Sequence, residues 1–538
     1  MKLVIKEGPT VIDDKVLDQC DKKILDARCQ PHSHNIYIDE IVIPKSAKEI
    51  RWHDFASHVS LVGLVSGVKI TILGELENIG SKAFFGFPVT EITLPKSLKF
   101  IGKEAFANCQ LLERITIPDS VSSIGEGAFC NCITLQEVKL SNSLTFVSKN
   151  LFNFCRCLRK VTLPEGLKKI GSEAFSFCIS LTSISLPNSL ECIENGAFFG
   201  TPIKNLYVPK NVKKIAEEGA FSTSLLKSIV VDKENKVFDS RDNCNAIILT
   251  KQNKLLYTTR NAYVPKTVTS ISDHFDSNST SHESICVDPE NKIFDSRDNC
   301  NAIIVTKTNH LIVPSKKTVV IPESVESIEC SFDSLNCEKF VIPEGVKDIY
   351  LDFRNCHIGE LVLPSTLENC DIWKASDSSF KAIKVDPGNK KFDSRDNCNS
   401  LIDSKKNELL LASETTKIPS GVVSVNRYAF CMNSTEKKRV FVPEGVKDIS
   451  YAPLAKQRWI FILPKSLRYF NDETDKDIFW YSGTYEEWKK NVICIRGDYK
   501  DFKEKGIQSL RFYSEQKPKH GRQLFRYWHY VDGKPKKW

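Results

Sequence analysis

The sequence of 538 residues lacks any long hydrophobic run. No stretch approaches the roughly 18 apolar residues of a membrane-spanning helix, so we expect no insertion into a membrane. Lys6, Glu7, Gly8 and Pro9 interrupt the place where a secretory signal would carry about 7 to 15 apolar residues. The amino terminus therefore predicts a cytoplasmic protein.

Signatures of catalysis are also missing. The sequence contains no H-E-x-x-H, no G-x-S-x-G and no C-x-x-C, and Gly102-Lys103 is followed by Glu104 instead of the Ser or Thr of a phosphate-binding loop. His32 and His34 form a pair, but the further ligands of a metal site are not nearby in the sequence. We therefore expect no enzyme, no cofactor and no bound metal.

Charge of one sign is confined to one end of the chain. The net charge is +8, yet residues 500–538 hold eleven Lys or Arg against four Asp or Glu, which leaves the rest of the chain at +1. This distribution excludes a uniformly basic surface for nucleic acid. Tyr527 and Trp528 in the basic tail offer a platform for stacked bases, but we interpret these aromatic residues as a cover for the last turn of the fold and expect no nucleic-acid partner.

What the sequence does contain is a repeat of about 23 residues. Pro95, Pro118, Pro164, Pro187 and Pro209 follow one another at steps of 23, 46, 23 and 22 residues, and Ser141 stands where one proline is missing. One unit reads Leu112-x-x-Ile115-x-Ile117-Pro118-x-Ser120-Val121-x-x-Ile124-Gly125-x-x-Ala128-Phe129-x-x-Cys132.

Each position of this unit has a physical role. The alternation Ile115-x-Ile117 is the period-two pattern of a half-buried strand, and Pro118, which has no amide hydrogen, ends that strand. Ala128 and Phe129 place a small and an aromatic side chain between neighbouring units. Because one unit can bury these groups only against its neighbours, the units must stack.

The 19 cysteines include a row that keeps this period. Cys109, Cys132, Cys155 and Cys178 occupy one position of the unit, 23 residues apart. Adjacent rungs about 4.8 Å apart leave disulfides possible on distance alone. The constant register nevertheless favours a row of buried thiols that pack as small, weakly polar groups.

The recurring motif L-P-x-S-L-x-x-I-G-x-x-A-F-x-x-C resembles the BspA-like class of leucine-rich repeat proteins, over roughly residues 41–467. The resemblance implies a leucine-rich repeat solenoid, a curved stack of about 18 turns of 21–23 residues with mainly short β-strands, loops and few helices. It also implies a protein that is often surface-exposed and adhesive, so a cell-surface or secreted location is the alternative to the cytoplasm. No catalytic residue comes with the resemblance.

Three longer segments share the sequence D-S-R-D-N-C-N, and we expect hairpin inserts near residues 232–256, 288–312 and 386–411. In the first insert, Asp239, Asp242, Asn243 and Asn245 lack the spacing of a calcium loop. We interpret them as turn residues, because Asn and Asp side chains bond their own backbone in turns.

The ends of the chain depart from the repeat. We expect residues 1–40 to form an N-terminal cap, residues 41–475 the solenoid, and residues 476–538 an aromatic and basic C-terminal cap. In that cap a short helix is predicted to begin at Thr484, with Glu487 completing a capping box. Strands are predicted from Arg511 and from Tyr527, the latter followed by a turn at residues 532–533.

The strand alternation also predicts a ligand surface. If Ile115 and Ile117 face the core, their neighbours face outward, and the same holds in each following unit. The predicted binding residues on this sheet face are Arg114, Thr116, Glu137, Lys139, Lys160, Thr162, Ser183, Ser185, Asn205 and Tyr207. So broad a surface suits an unknown protein or glycan better than a small metabolite, which prefers a cavity of about 300 to 1,000 Å³.

The sequence thus predicts a non-enzymatic scaffold for protein binding or cell adhesion. A purely structural or self-associating repeat array is the alternative, and an enzyme with an unrecognised site ranks last. Arg496-Gly497-Asp498 spells a tripeptide that integrins recognise in other proteins. A Gly-Asp pair after an apolar run is first of all a turn signal, and we do not assign adhesion to it.

Overall fold

The computed structural model describes residues 2–13, 16, 39–51, 67–221, 225–273, 275, 282–373, 378–426, 429–430, 439–451, 460–472, 478–494, 510–513, 527–531 and 534–537. The chain divides into two units, Met1–His282 and Glu283–Trp538. Both are β-solenoids, with about 17 turns in all and almost no helix. The predicted leucine-rich repeat solenoid is confirmed, with about 17 turns where about 18 were expected.

The first unit consists of short strands. They are β1 (Lys2–Val4), β2 (Val11–Ile12), β3 (Glu40–Ile43), β4 (Glu49–Ile50), β5 (Val68–Ile72), β6 (Asn78–Ile79), β7 (Val89–Ile92), β8 (Phe100–Ile101), β9 (Arg114–Thr116), β10 (Ser123–Ile124), β11 (Glu137–Lys139), β12 (Phe146–Val147), β13 (Lys160–Thr162), β14 (Lys169–Ile170), β15 (Cys192–Ile193), β16 (Asn205–Val208), β17 (Lys214–Ile215), β18 (Ser228–Val231), β19 (Phe238–Asp239), β20 (Ala246–Leu249), β21 (Lys254–Thr258), β22 (Asn261–Val264) and β23 (Ser270–Ile271).

The second unit continues with strands and one described α-helix, α1. Its elements are β24 (Ser284–Val287), β25 (Phe294–Asp295), β26 (Ile303–Val305), β27 (His310–Val313), β28 (Ser327–Asp333), β29 (Asn336–Val341), β30 (Asp348–Arg354), β31 (His357–Leu363), β32 (Asn369–Trp373), β33 (Ser379–Val385), β34 (Phe392–Asp393), β35 (Leu401–Asp403), β36 (Glu408–Leu411), β37 (Ser424–Val425), β38 (Arg439–Phe441), β39 (Asp448–Tyr451), β40 (Ile460–Leu463), β41 (Tyr469–Asp472), β42 (Ile478–Tyr481), α1 (Tyr485–Asn491), β43 (Ile493–Cys494), β44 (Leu510–Tyr513), β45 (Tyr527–Val531) and β46 (Lys534–Lys537).

Two parallel ladders run along the first unit. One ladder contains β1-β3-β5-β7, then β9-β11-β13, then β16-β18, and its outward side is called the sheet face below. The other, called the return side, contains β2-β4-β6-β8-β10, then β12-β14-β15-β17. In the sheet-face ladder Val138 pairs with both Ile115 and Val161. The middle residues of β9 and β11 are buried and their flanking residues are exposed, which confirms the predicted alternation.

One buried phenylalanine per turn stacks on the next between the two ladders. Successive ring centroids lie 5.1 to 5.7 Å apart with interplanar angles of 3° to 18°. The members of this stack are Phe84, Phe106, Phe129, Phe152, Phe175, Phe198 and Phe221. The stack ends at Tyr257, whose ring meets Phe221 edge-on at 5.6 Å and whose hydroxyl donates to the Ala216 carbonyl.

The cysteine row runs beside this stack. Cys109, Cys132, Cys155 and Cys178 are fully buried and free. Each thiol donates to the phenylalanine carbonyl of the preceding turn, as Cys132 Sγ does to Phe106 O at 3.0 Å. Burial raises the pKa of the Cys109, Cys155 and Cys178 thiols. The predicted row of structural thiols is confirmed.

The sheet-face ladder is interrupted between β7 and β9. Farther along the unit, Gln136 N donates to Glu113 O at 2.8 Å and Ile117 N donates to Lys139 O at 3.0 Å. Within the continuously described segment 67–221, the corresponding bonds one turn earlier, from Glu113 N to Thr90 O and from Leu94 N to Thr116 O, are absent.

A difference in chain length accompanies this interruption. Leu94 stands ten residues after Phe84, whereas Ile117 stands eleven residues after Phe106. The shorter turn passes through Gly86-Phe87-Pro88, and the register between β5 and β7 shifts after Val68. The strand of this turn therefore pairs backward with β5 but not forward with β9.

Each of the three D-S-R-D-N-C-N segments forms antiparallel strands. In the first, β19 pairs with β20 and β20 pairs with β21, all antiparallel, and β21 then lies parallel to β23. The same order occurs in β25-β26-β27-β28 and in β34-β35-β36-β37. A one-turn 3₁₀ helix precedes the second strand of each, at Arg241–Asn243, Arg297–Asn299 and Arg395–Asn397.

The tips of these segments have left-handed backbone. In the first, Asp242, Asn243 and Asn245 have φ of 56°, 52° and 52°. Asn and Asp tolerate this conformation better than most residues. The interpretation of these residues as turn residues is therefore confirmed.

The middle of the second unit has longer strands. β28-β30-β32 and β29-β31-β33 are parallel ladders with strands of five to seven residues. Between them the Phe332 and Phe353 rings stack at 5.6 Å, and Phe340 meets Phe332 edge-on at 5.1 Å. The buried Cys356 thiol donates to Phe332 O at 3.2 Å, so the thiol-to-carbonyl contact recurs in this unit.

The last sheet of the second unit runs β38-β40-β42-β44-β45 in parallel and ends with the antiparallel strand β46. The buried Trp528 stacks on Trp480 at 5.4 Å, and its Nε1 donates to Tyr481 O at 3.0 Å. Trp528 therefore packs inside the fold and is not available to stack on a nucleobase.

The helix α1 begins as predicted. Glu487 N donates to Thr484 Oγ1 at 3.2 Å, and Thr484 N donates to the Glu487 carboxylate at 2.6 Å. These reciprocal bonds confirm the predicted capping box. The predicted features at His32 and His34, at residues 496–498 and at the turn 532–533 lie outside the described residues, and the predicted domain boundaries stay predictions.

Candidate binding face

The residues predicted to face outward are all exposed. They are Arg114, Thr116, Glu137, Lys139, Lys160, Thr162, Ser183, Ser185, Asn205 and Tyr207. Strand pairing aligns Arg114, Glu137 and Lys160 in one row across β9, β11 and β13. It aligns Thr116, Lys139 and Thr162 in a second row. Their role in binding stays a prediction.

Ser183 and Ser185 are exposed, but the strand predicted for them is wrong. Residues 181–187 form no strand, although Ser183, Ile184 and Ser185 keep the exposed, half-buried, exposed pattern. The turn that follows is one residue shorter, because Val208 stands ten residues after Phe198 whereas Leu186 stands eleven after Phe175. Its strand β16 therefore pairs forward with β18. Toward the preceding turn, Lys204 N donates to Thr182 O at 3.1 Å.

The cations of β9, β11 and β13 differ from those of β5 and of β29 to β33. On β5 and β7, Lys69 pairs with Glu91 at 3.1 Å. On β29, β31 and β33, Glu360 accepts both Lys339 at 3.6 Å and Lys384 at 2.6 Å. By contrast, Arg114, Lys139 and Lys160 form no ion pair of 4 Å or less with another described residue, although Glu137 lies between Arg114 and Lys160 in the ladder. This part of the sheet face therefore carries a net positive charge.

Tyr207 lies on β16 and is the last of the predicted binding residues along the chain. Its hydroxyl donates to Asp232 Oδ2 at 2.6 Å. This hydrogen bond lowers the pKa of the Asp232 carboxyl and raises the pKa of the Tyr207 hydroxyl. At neutral pH, Tyr207 is thus a neutral donor whose proton is held by Asp232, and its ring remains exposed at the surface.

A cleft of about 590 Å³ opens on the sheet face where the ladder is interrupted between β7 and β9. Its lining comes from two turns: Ile92, Thr93, Leu94 and Lys96 from one, and Arg114, Ile115, Thr116, Pro118, Asp119 and Ser120 from the next. On its rim, Asp119 accepts bonds from Asn142 N at 3.0 Å and Asn142 Nδ2 at 3.1 Å. The bond from the Asn142 backbone contributes most to lowering the pKa of Asp119, which is therefore ionised and already bonded at neutral pH.

Arg114 and Thr116 were predicted from the sequence, but this cleft and its residues Lys96, Asp119 and Ser120 were not. All three lie in the turns that follow the strands, where period-two alternation makes no prediction. The signal that marks the cleft is the one-residue shortening at Gly86-Phe87-Pro88.

The described residues form no candidate metal site. Nowhere among them do three or more His, Cys, Asp or Glu side chains come together as ligands. In the first insert, Asp239 instead binds Arg241, with Arg241 Nε donating to Oδ1 at 2.7 Å and Nη2 to Oδ2 at 2.5 Å. Of the described helices, none is both long enough and apolar enough to span a bilayer.

A stack of parallel rungs with one aromatic core position per turn and a broad polar face defines a leucine-rich repeat solenoid. The family model of the BspA type leucine rich repeat region, in six copies, matches residues 64–176, 145–253 and 313–404, which together make up more than half of the chain. The chain belongs to this family. The resemblance seen in the sequence motif is confirmed.

The chain is similar to several solved structures, three of them from bacteria. A leucine-rich repeat protein from Bacteroides ovatus is 21% identical, with 71% of this chain and 94% of that chain covered and a TM-score of 0.34. A leucine rich cell surface protein from Faecalibacterium prausnitzii is 19% identical, with coverages of 78% and 86% and a TM-score of 0.30. The leucine rich repeat protein of T. pallidum is 24% identical, with coverages of 34% and 77% and a TM-score of 0.27. No curated protein matches the chain.

Proposed function

We propose that this protein is a non-enzymatic binding scaffold that holds a partner protein on the sheet face of its first unit. The observation that carries the proposal is the group of three exposed cations, Arg114, Lys139 and Lys160, which lack ion-pair partners among the described residues. A net positive charge on a surface attracts a partner of opposite charge and speeds its association.

The size of the face supports a macromolecular partner. Neighbouring strands lie about 4.8 Å apart, so β9, β11 and β13 alone present a patch about 10 Å across, to which β16 and β18 add further rungs. The side chains on the patch are mainly charged or hydroxylic. Such a surface fits the polar, charge-complementary contacts of a protein partner.

The proposal is tested by affinity capture with two variants of equal charge change. The first carries Arg114→Glu, Lys139→Glu and Lys160→Glu on the sheet face. The control carries Lys214→Glu, Lys236→Glu and Lys251→Glu, which are exposed lysines away from that face. Partners identified by mass spectrometry and then purified should bind the wild type and the control, and should bind the first variant at least about tenfold more weakly.

The other outcomes are equally specific. Partners that bind all three proteins alike would contradict a role for the sheet face. Absence of partners, together with assembly that grows with protein concentration in analytical ultracentrifugation, would support the alternative of a self-associating structural array. All variants should keep the far-UV circular dichroism spectrum of the wild type.

We also propose that the protein works in a reducing compartment. The buried Cys109, Cys132, Cys155 and Cys178 are free, and so is the exposed Cys286. Disulfides form and persist in oxidising compartments. Alkylation of intact cells in acid, followed by mass spectrometry, should find these thiols unoxidised, and a disulfide in the protein from its native source would contradict the proposal.

A further inference from the structure

The interrupted ladder leaves two backbone amides at the cleft between β7 and β9 without the bonds of the other turns. Leu94 lines one wall of the cleft, and Glu113 directly precedes Arg114, which lines the other. Neither amide has a hydrogen-bond partner among the described residues. In the uninterrupted turns, the equivalent amides of Ile117 and Gln136 are both bonded to neighbouring strands. The cleft therefore offers backbone donors that the fold itself leaves unused.

Two cations stand at the same cleft. Lys96 and Arg114 are exposed, they line it from opposite sides, and within the described residues neither forms an ion pair of 4 Å or less. The carboxylate on the rim, Asp119, is held by Asn142. The interruption also leaves the Thr90 and Thr116 carbonyls without the bonds of the other turns. The backbone donors and acceptors of the cleft thus suit an extended chain, and the two cations call for negative charge on it.

The two turns remain in contact behind this cleft. Behind it, β6 and β8 remain paired, with Ile79 opposite Ile101. The Phe84 and Phe106 rings stack at 5.1 Å, and Cys109 Sγ donates to Phe84 O at 3.0 Å. The two turns are therefore held together at the back, while the missing residue at Gly86-Phe87-Pro88 keeps their front edges from pairing.

We propose that this cleft binds an extended acidic peptide segment of a partner protein. The carbonyls of an extended chain recur about every 3.3 Å and accept from the Leu94 and Glu113 amides, as in peptides that add to an exposed strand edge. A Glu or Asp side chain of the same segment contacts Lys96 and Arg114. The cleft lining has no aromatic side chain on which a sugar ring would stack. This inference rests on the proposed function, because it names the ligand class for one part of the same sheet face.

The test is fluorescence anisotropy with a fluorescein-labelled octapeptide of alternating valine and glutamate. The cleft variant carries Lys96→Gln and Arg114→Gln, and the matched control carries Lys214→Gln and Lys236→Gln, at exposed lysines away from the sheet face. The cleft variant should bind the peptide at least about tenfold more weakly than the wild type, and the control within about twofold. A valine–lysine peptide of the same length should not bind.

A second probe tests the backbone contacts. The same acidic peptide with N-methyl groups on alternate residues keeps its charge but cannot lie close to a strand edge on that side. It should bind at least about tenfold more weakly than the parent peptide. Equal affinity of the two peptides would overturn the inference, because charge alone would then explain binding.

The remaining outcomes separate this inference from the proposed function. If the cleft and control variants lost affinity for the acidic peptide equally, the cleft would not be the binding site. A heparin-derived hexasaccharide that binds through Lys96 and Arg114, with no binding of the peptide, would overturn the peptide as the ligand class. If the peptide fails to bind while captured partners still depend on Arg114, Lys139 and Lys160, the cleft inference fails and the proposed function stands. If the peptide binds the cleft and the captured partners ignore all three cations, the reverse holds.

Discussion

One aromatic ring and one thiol in each turn hold neighbouring turns of the first unit together. The phenylalanine rings stack with nearly parallel planes, and each thiol in the cysteine row bonds a phenylalanine carbonyl one turn back. Because every ring contacts the rings before and after it, the loss of one ring affects two interfaces. A member in the middle of the stack should therefore matter more than any surface aromatic.

Phe152→Ala tests this expectation. Phe152 is fully buried between Phe129 and Phe175, at centroid distances of 5.7 and 5.5 Å. The cavity should lower the free energy of unfolding by about 3 to 5 kcal/mol in urea titrations followed by circular dichroism. The control is Phe146→Ala, since Phe146 is 41% exposed on the return side, and it should change stability by no more than about 0.5 kcal/mol. Similar losses in the free energy of unfolding of both variants would contradict a special role of the stack in stability.

At the scale of elements, one arginine in each insert links its strands through hydrogen bonds. In the second insert, Arg297 Nε and Nη2 donate to the two oxygens of Asp295 at 2.8 and 2.6 Å, and Nη1 donates to Asn309 Oδ1 at 2.8 Å. The first and third inserts have the same bonds at Arg241 and Arg395. The arginine thus joins the start of the insert to its returning strands.

Removal of this arginine should loosen the second insert. Burial raises the pKa of Asp295, but hydrogen bonds from Arg297 and Thr306 outweigh this and hold the pKa below its ordinary value. In Arg297→Ala the Asp295 carboxylate loses its charged donor, which should cost about 1 to 3 kcal/mol. Hydrogen exchange should then quicken in β25, β26 and β27 while β30 to β33 stay protected. Lys292→Ala, at an exposed lysine of the same insert, should leave exchange unchanged. Slow exchange in both variants would contradict the fastening role.

At the scale of the whole molecule, stability should depend on keeping the turns in phase. Each turn contacts its neighbours along the chain, as expected for a solenoid. Leu135 and Leu158 occupy equivalent buried positions 23 residues apart. Deletion of residues 135–157 therefore removes one turn and joins two positions that already follow each other in the template.

We expect the chain lacking residues 135–157 to fold and to melt cooperatively, at a lower Tm than the wild type. The chain lacking residues 135–146 breaks the phase and should lose most of its β-sheet signal in far-UV circular dichroism. Thermal melts of the two deletions, compared with the wild type, provide the measurement. If the out-of-phase deletion were the more stable of the two, the nearest-neighbour description of this solenoid would be wrong.

The repeat itself was predictable because each of its positions has one dominant physical reason. Period-two alternation at Ile115 and Ile117, and the recurrence of Phe129 and Cys132, require a stacked strand with a buried aromatic and thiol behind it. The cleft was not predictable in the same way. It depends on how a turn shortened by one residue at Gly86-Phe87-Pro88 meets a turn of full length, and pairing between turns is a property of the folded stack.

The three inserts have a consequence of a different kind. Each copy of D-S-R-D-N-C-N exposes the same two tip residues, Asp242 and Asn243 in the first, Asp298 and Asn299 in the second, and Asp396 and Asn397 in the third. All three tips have left-handed backbone at these positions. To an antibody raised against one tip, a single chain is therefore a trivalent antigen. A bivalent immunoglobulin would then cross-link such chains into lattices. Lattice formation ordinarily requires an antigen with several different epitopes or several subunits.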